Sequence, residues 1–237
     1  MLEQIRLRNI LFLDIETVPS QPSYDALDTK LKALWDRKAA YLEIREEKTP
    51  AELYSRAGIY AEFGKIICIC AGYISHGGIR IKAFYGDDEA VILNEFSALL
   101  NRFSGEQHYL CAHNGKEFDF PYIARRMVVN GIALPEQLNL HARKPWEVKH
   151  LDTLELWKFG DRKNYTSLDL LTTILNIPSP KQDIDGSDVG RVYWVEKDLE
   201  RIVSYCRRDV VAIAQLVLRF KGEPLLDEGS IYYVDQS

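Results

Sequence analysis

The sequence predicts an α/β fold: a mixed five-stranded sheet flanked by helices, with a helical insert after the first strand. Three observations carry that expectation. An apolar, β-compatible run, Asn9–Ile15, lies near the start of the chain; two further runs, Ile66–Ile74 and Ile79–Tyr85, flank a turn; and beyond them short apolar runs alternate with helical periodicity. With 237 residues, 46% of them hydrophobic, the chain can bury a sizeable core. It contains no internal repeat, low-complexity tract or evident linker, so residues 1–237 are read as a single domain.

Asn9–Ile15 runs into Glu16, Thr17 and Pro19, and its apolar character makes it a central strand. The insert, about residues 20–62, follows. From Tyr24 to about Lys48, the spacing of Leu27, Leu31, Leu34, Trp35, Leu42 and Ile44 among charges predicts an amphipathic helix, with a short second one near Pro50–Arg56 after the cap Thr49. Ser75-His76-Gly77-Gly78 reads as the turn of an antiparallel hairpin. Asp87 or Asp88 caps a helix bearing Val91, Ile92, Phe96, Leu99 and Leu100. A short strand over Tyr109–Ala112 leads to a helix from about Phe120 to Asn130, closed by Gly131. Val148–Leu151 is the fifth strand, Leu168–Leu175 a helix that stops before Pro178, and Pro178–Gly190 a loop. The longest helical pattern, Lys197 to about Phe220, carries Leu199, Ile202, Val203, Cys206, Val210, Ile213 and Val217 on one stripe.

The charge balance, 30 Lys and Arg against 35 Asp and Glu, gives −5 and argues against indiscriminate coating of nucleic acid. It leaves room for a nucleic-acid enzyme, because cations bound by carboxylates would offset part of that charge. The longest apolar stretch, Ile66–Ile74, is far short of the ~20 residues of a membrane span, and Glu3, Arg6 and Arg8 stand where a signal peptide would be apolar. The expectation is a cytoplasmic protein with no membrane partner. Cys68, Cys70, Cys111 and Cys206 form neither a disulfide framework nor a zinc-ligand spacing and read as buried reduced thiols.

Carboxylates stand out against this background. Alternation along a strand puts Asp14 and Glu16 on one face, near the C-terminal end of an otherwise apolar run. Such a pair is either a solvated strand end or a site for a hard divalent cation, which prefers carboxylate oxygen. A second cluster, His113-Asn114-Gly115-Lys116-Glu117-Phe118-Asp119-Phe120-Pro121, follows the Tyr109–Ala112 strand; taken singly, it is an ordinary strand-to-helix connection with Asp119 as the cap. In the last helix Tyr205 and Asp209 are four residues apart and stack on one face, with Asp209 at the edge of the apolar stripe. A carboxylate bordering a core is costly unless it is paired or metal-bound.

Together the three clusters resemble the motifs of the DEDD 3′–5′ exonuclease superfamily: Asp14-x-Glu16, Asn114-x-x-x-Phe118-Asp119 and Tyr205-x-x-x-Asp209. The tyrosine of the third motif points to the DEDDy subgroup. LDIETVP, HNGKEFDFPYIARR, YTSLDLLTTILNIP, DIDGSDV and YCRRDV look most like the proofreading-exonuclease domain of family B DNA polymerases, in its stand-alone form. The resemblance implies a ribonuclease-H-like fold and two-metal hydrolysis of single-stranded DNA, with RNA as the alternative, to nucleoside monophosphates. Two divalent cations, Mg²⁺ or Mn²⁺, would be held by Asp14, Glu16, Asp119 and Asp209, with Asp14 bridging. Tyr205 would orient the attacking water, since a phenol with pKa near 10 is a poor base at neutral pH. Thr17, Asn114 and Phe118 would contact the strand, Phe118 by stacking.

The different-class alternative is a non-cleaving nucleic-acid-binding or regulatory module that keeps the fold. Arg125, Arg126, Arg143, Lys144, Lys149, Arg162, Lys163, Lys181, Arg191, Arg207 and Arg208 are the candidates for tracking phosphates, and Trp146 and Trp194 for stacking or core packing. Asp152 reads as a helix cap or an outer carboxylate. The insert could form a lid, a partner surface or decoration packed on the sheet.

Overall fold

The computed structural model describes residues 2–46, 48–75, 77–161, 165–178 and 184–234. Strand β1, Ile10–Pro19, is nearly all buried because it is covered on both faces. The insert follows. Helix α1 is Thr29–Glu46, with Asp28 Oδ1 accepting from the amides of Lys30 and Leu31. A single turn, α2, Pro50–Leu53, starts at Thr49, whose side chain and that of Glu52 cap each other's amides. Trp35 is fully buried among Leu27, Ala39, Leu53, Tyr54 and Ala57, giving the insert a small core of its own, whereas Leu34 is exposed.

Strands β2, Gly64–Ser75, and β3, Gly78–Tyr85, form the expected hairpin. Then come α3, Glu89–Arg102, capped by Asp88, and β4, Tyr109–Ala112. Helix α4, Asp119–Val129, is closed by the left-handed Gly131. A short β5, Leu151–Asp152, passes directly into α5, Thr153–Lys158, and α6 is Leu168–Ile174. The turn α7, Val189–Arg191, and a π-helical turn over Val192–Glu196 precede α8, Leu199–Lys221.

The sheet has six strands rather than five, in the order β5-β4-β1-β2-β3 and then β6, Ile231–Val234, which lies parallel to β3. This last strand escaped the sequence reading because it is short and half-exposed, with no flanking periodicity. Strands β1, β2 and β3 pair antiparallel, while β1–β4 and β4–β5 are parallel, so the sheet is mixed as expected. Helix α8 covers one face, on Ile10, Phe12, Cys68 and Cys70; α3 and α4 cover the other, on Leu11, Leu13, Ile69 and Phe84. Among the described residues no helix is long and apolar enough to cross a membrane. His76, Arg162, Lys163 and Lys181 lie outside the described residues.

Candidate active site

Alternation in β1 sends Leu11, Leu13 and Ile15 towards α3 and α4, and Phe12, Asp14 and Glu16 towards α8. Asp14 lies opposite Cys70 and Glu16 opposite Cys68; the register then skips Ile67, so that Thr17 pairs with Ile66. The extra residue is on β2, so the bulge faces the end of β1 where the carboxylates sit. Glu16 is buried and Asp14 half-buried.

Helix α8 brings Tyr205 and Asp209 to the same place. Its apolar stripe, including Val203, Cys206 and Val210, lies on the sheet, and the Cys206 thiol donates to the Asp14 carbonyl oxygen at 3.4 Å. Asp209, only 8% exposed, accepts a hydrogen bond from the Tyr205 hydroxyl.

Asp119 comes from the opposite face, around the C-terminal edge of the sheet. It is the first helical residue of α4 and is buried; the N-cap position belongs to Phe118, so the capping role open to Asp119 in the sequence is not the one it has. The turn before it is tight. Asn114 is left-handed at φ 60°, and a Cβ on Gly115 would lie 2.4 Å from the Ala112 Cβ, so only glycine fits. Asp152 fixes this turn: it caps α5 through the amides of Leu154 and Glu155 and also accepts from the amides of Asn114 (2.9 Å) and Lys116 (3.1 Å). Thr17 and Phe118 meet at Tyr122, whose hydroxyl bonds with the Thr17 side chain and donates to Gly58 O at 2.7 Å, while its ring centroid is 5.3 Å from that of Phe118.

The four carboxylates form one electrostatic unit. Burial, then the neighbouring Cys206, Glu16, Asp209 and Asp119, pushes Asp14 well above the ordinary carboxylate range. Burial, Cys206, Asp209 and Asp119 do the same to Glu16. Asp119 is raised to about 7, chiefly by burial and by the charges of Asp152 and Asp209, against hydrogen bonds from its own amide and that of Ile15. Burial raises Asp209 to about 6, with Tyr205 and Arg208 pulling the other way. Burial and the charges of Asp209, Glu16 and Asp14 hold the Tyr205 phenol far above its usual range. Such a centre is strained when bare and suits cations: Asp14 and Glu16 present oxygens within 4.8 Å of one another, and hard oxygen donors match Mg²⁺ or Mn²⁺.

Sequence reasoning gave Tyr165 no role of its own. Its ring lies edge-on to His113 at 6.4 Å, and its phenol is raised by burial and by the charges of Asp119 and Asp152, which places it beside the centre. The only signal was its position at the head of YTSLDLL. Several basic candidates are engaged elsewhere. Arg126 forms a two-pronged pair with the buried Glu89, and Arg191 pairs with Asp188 and Glu196. Trp146 is exposed, whereas Trp194 is half-buried and donates to Pro19 O at 3.1 Å. A groove of about 720 Å³ lies not over the carboxylates but along the outer side of α4, from Lys116 and Glu117 past Arg125 to His141 and Arg143.

A mixed sheet with helices on both faces and acidic residues at the end of its central strand is a ribonuclease-H-like architecture. The chain resembles in structure the family B DNA polymerase of the hyperthermophilic archaeon Pyrobaculum calidifontis, with a TM-score of 0.56 at 13% identity. The likeness covers 89% of this chain and 24% of the polymerase, so the chain spans about a quarter of the length of that protein. Residues 59–224 match the family described as "Predicted 3'-5' exonuclease related to the exonuclease domain of PolB", and the chain belongs to that family. The matched span includes Asn114, Phe118, Asp119, Tyr205 and Asp209 and begins after Asp14 and Glu16.

Proposed function

We propose that this chain is a two-metal-dependent 3′–5′ exonuclease that trims single-stranded DNA, with RNA as the alternative strand, to nucleoside monophosphates. The observation that supports this most is that Asp14 and Glu16, with oxygens within 4.8 Å of one another, lie close enough to Asp119 of α4 and Asp209 of α8 for those charges to raise their proton affinity. A group of carboxylates held this way favours protons or cations over a bare state. Family membership and the fold support the same class of chemistry.

In this reading Asp14, Glu16, Asp119 and Asp209 would hold two divalent cations, Glu16 and Asp209 acting with Asp14 on the water-activating side and Asp119 supporting the other. When bound, the pair lowers the pKa of a water and offsets charge on the leaving 3′ oxygen. Tyr205 keeps its proton near neutral pH and bonds to Asp209, so it orients the water's neighbourhood rather than acting as a base. Water adds to phosphorus, the bond to the 3′ oxygen breaks, and a nucleoside 5′-monophosphate leaves. Thr17, Asn114 and Phe118, at the end of β1 and the turn before α4, would contact the terminal nucleotide. Arg125 and Arg143 flank the neighbouring groove and are candidates for phosphates further along the strand.

The test uses matched 5′-labelled single-stranded DNA and RNA with wild type and Asp14→Ala, in Mg²⁺, Mn²⁺ and EDTA. A metal-dependent ladder shrinking from the 3′ end, absent in the variant, supports the reading and reports the preferred sugar. Intact label in every lane overturns it in favour of a non-cleaving binding module.

A further inference from the structure

Three of the four cysteines meet at one point, a convergence that their separation in sequence conceals. Cys68 and Cys70 project from β2 towards α8, and Cys206 descends from α8 between them. Their sulfurs all lie within 4.8 Å of one another, with Cys68 Sγ and Cys70 Sγ 3.7 Å apart, and all three residues are fully buried. Two thiolates on a tetrahedral ion with metal–sulfur bonds of about 2.3 Å sit about 3.8 Å apart, so the spacing already approximates one edge of such a site. Cys111, the fourth thiol, belongs to the same apolar face but not to this cluster.

The thiols adjoin the acidic centre. Cys70 lies across the ladder from Asp14 and Cys68 across from Glu16, while Cys206 Sγ is also within 4.8 Å of the Asp14 and Glu16 carboxylate oxygens. Cys206 is thus shared between a soft triad and a hard pair. Asp14 is half-buried, whereas the three sulfurs and Glu16 beside it are sealed.

We propose that Cys68, Cys70 and Cys206 form a binding site for one thiophilic divalent cation, such as Zn²⁺ or Cd²⁺, adjoining Asp14 and Glu16 and distinct from the Mg²⁺ or Mn²⁺ positions. Soft sulfur selects against the harder ions that the carboxylates prefer. Coordination forms metal–sulfur bonds at the expense of three S–H bonds, whose protons pass to solvent. Of the three sulfurs, Cys206 Sγ is the one within 4.8 Å of the carboxylate pair. Loss of the Cys206 proton removes its hydrogen bond to Asp14 O, so filling the site disturbs the backbone that carries the acidic centre.

The experiment loads the full chain with one equivalent of Zn²⁺ and records zinc-edge X-ray absorption fine structure. Two or three sulfur scatterers are expected in wild type and in Cys111→Ala, and none or one in Cys68→Ser/Cys70→Ser. Oxygen and nitrogen scatterers with fewer than two sulfurs in wild type overturn the proposal, as does loss of the sulfur shell in Cys111→Ala. The wild-type spectrum decides the matter even if the double variant does not fold. The readout is independent of cleavage: sulfur ligation in a protein that cuts nothing refutes the exonuclease reading alone, and oxygen-only ligation in an active nuclease refutes the thiol site alone.

Discussion

The carboxylate of Asp152 accepts the backbone N–H of Asn114 at 2.9 Å, holding a left-handed residue that starts the turn into Asp119. A single side chain therefore caps α5 and shapes the loop that presents a candidate metal ligand. Asp152→Ala removes the cap, worth about 1 kcal/mol, and leaves the amides of Asn114 and Lys116 without this acceptor, at about 1–3 kcal/mol more. The expected outcome is a lower urea midpoint together with weaker Mn²⁺ binding. Asp152→Asn is expected to lose less, since Oδ1 serves Asn114 and Leu154 and only Oδ2 serves Lys116.

Glu89 is buried and holds Arg126 in two bonds, of 2.9 and 2.6 Å; it also accepts from Ile66 N at 2.7 Å, while Arg126 reaches Ala61 O at 2.8 Å. The pair ties α3, α4, β2 and the end of the insert together. Arg126→Met is expected to cost about 3–5 kcal/mol by leaving a buried carboxylate uncompensated, and Glu89→Leu/Arg126→Met less than the sum of Glu89→Leu and Arg126→Met alone. Chemical denaturation of the four proteins measures this directly.

The raised carboxylates set the stability of the ion-free protein against pH. Asp119 moves from its ordinary 3.8 to about 7, and Asp209 to about 6. Between the unfolded and folded values the folded chain binds more protons, so this contribution is complete below about 4 and is lost as pH rises through 6 to 7. In EDTA the Tm is expected to fall over that window, and saturating Mn²⁺ to restore it at neutral pH.

Removing one of the clustered charges has the opposite effect on stability and function. Asp14→Asn is expected to raise the neutral-pH Tm in EDTA, because the amide carries no charge and so escapes the burial and the neighbouring carboxylates that disfavour an ionised Asp14. The same variant is expected to show a smaller Mn²⁺-induced rise than wild type and no cleavage. Differential scanning calorimetry with and without Mn²⁺ reads both stability effects.

Tyr205→Phe tests orientation against general base catalysis. The phenol is protonated and bonded to Asp209, so the variant is expected to cleave about 10–100-fold more slowly, as for loss of a partner behind a metal ligand. The pH–rate profile should keep its shape. Loss of a limb of that profile would assign the proton transfer to Tyr205 instead.

Apolar runs and periodicity located β1 to β4 and the long final helix, whereas the strand expected over Val148–Leu151 is found at Leu151–Asp152, fixed by its pairing with β4; the D-x-E and Y-x-x-x-D spacings placed each carboxylate pair or partner on one face. These are local consequences of the two-residue strand period and the 3.6-residue helix period, legible wherever an apolar stripe frames a charged residue. The sequence resemblance also anticipated the family and fold. Only the tertiary structure decided which groups meet. The bulge at Ile67, the clamp of Asp152 on Asn114 and the convergence of Cys68, Cys70 and Cys206 depend on the register of β1 with β2 and on the placement of α8 across them. Those pairings join residues far apart in the chain, and the same spacing in sequence is compatible with many of them. β6 stayed hidden for a related reason: its four half-exposed residues become a strand through pairing with β3, not through any periodic pattern of their own.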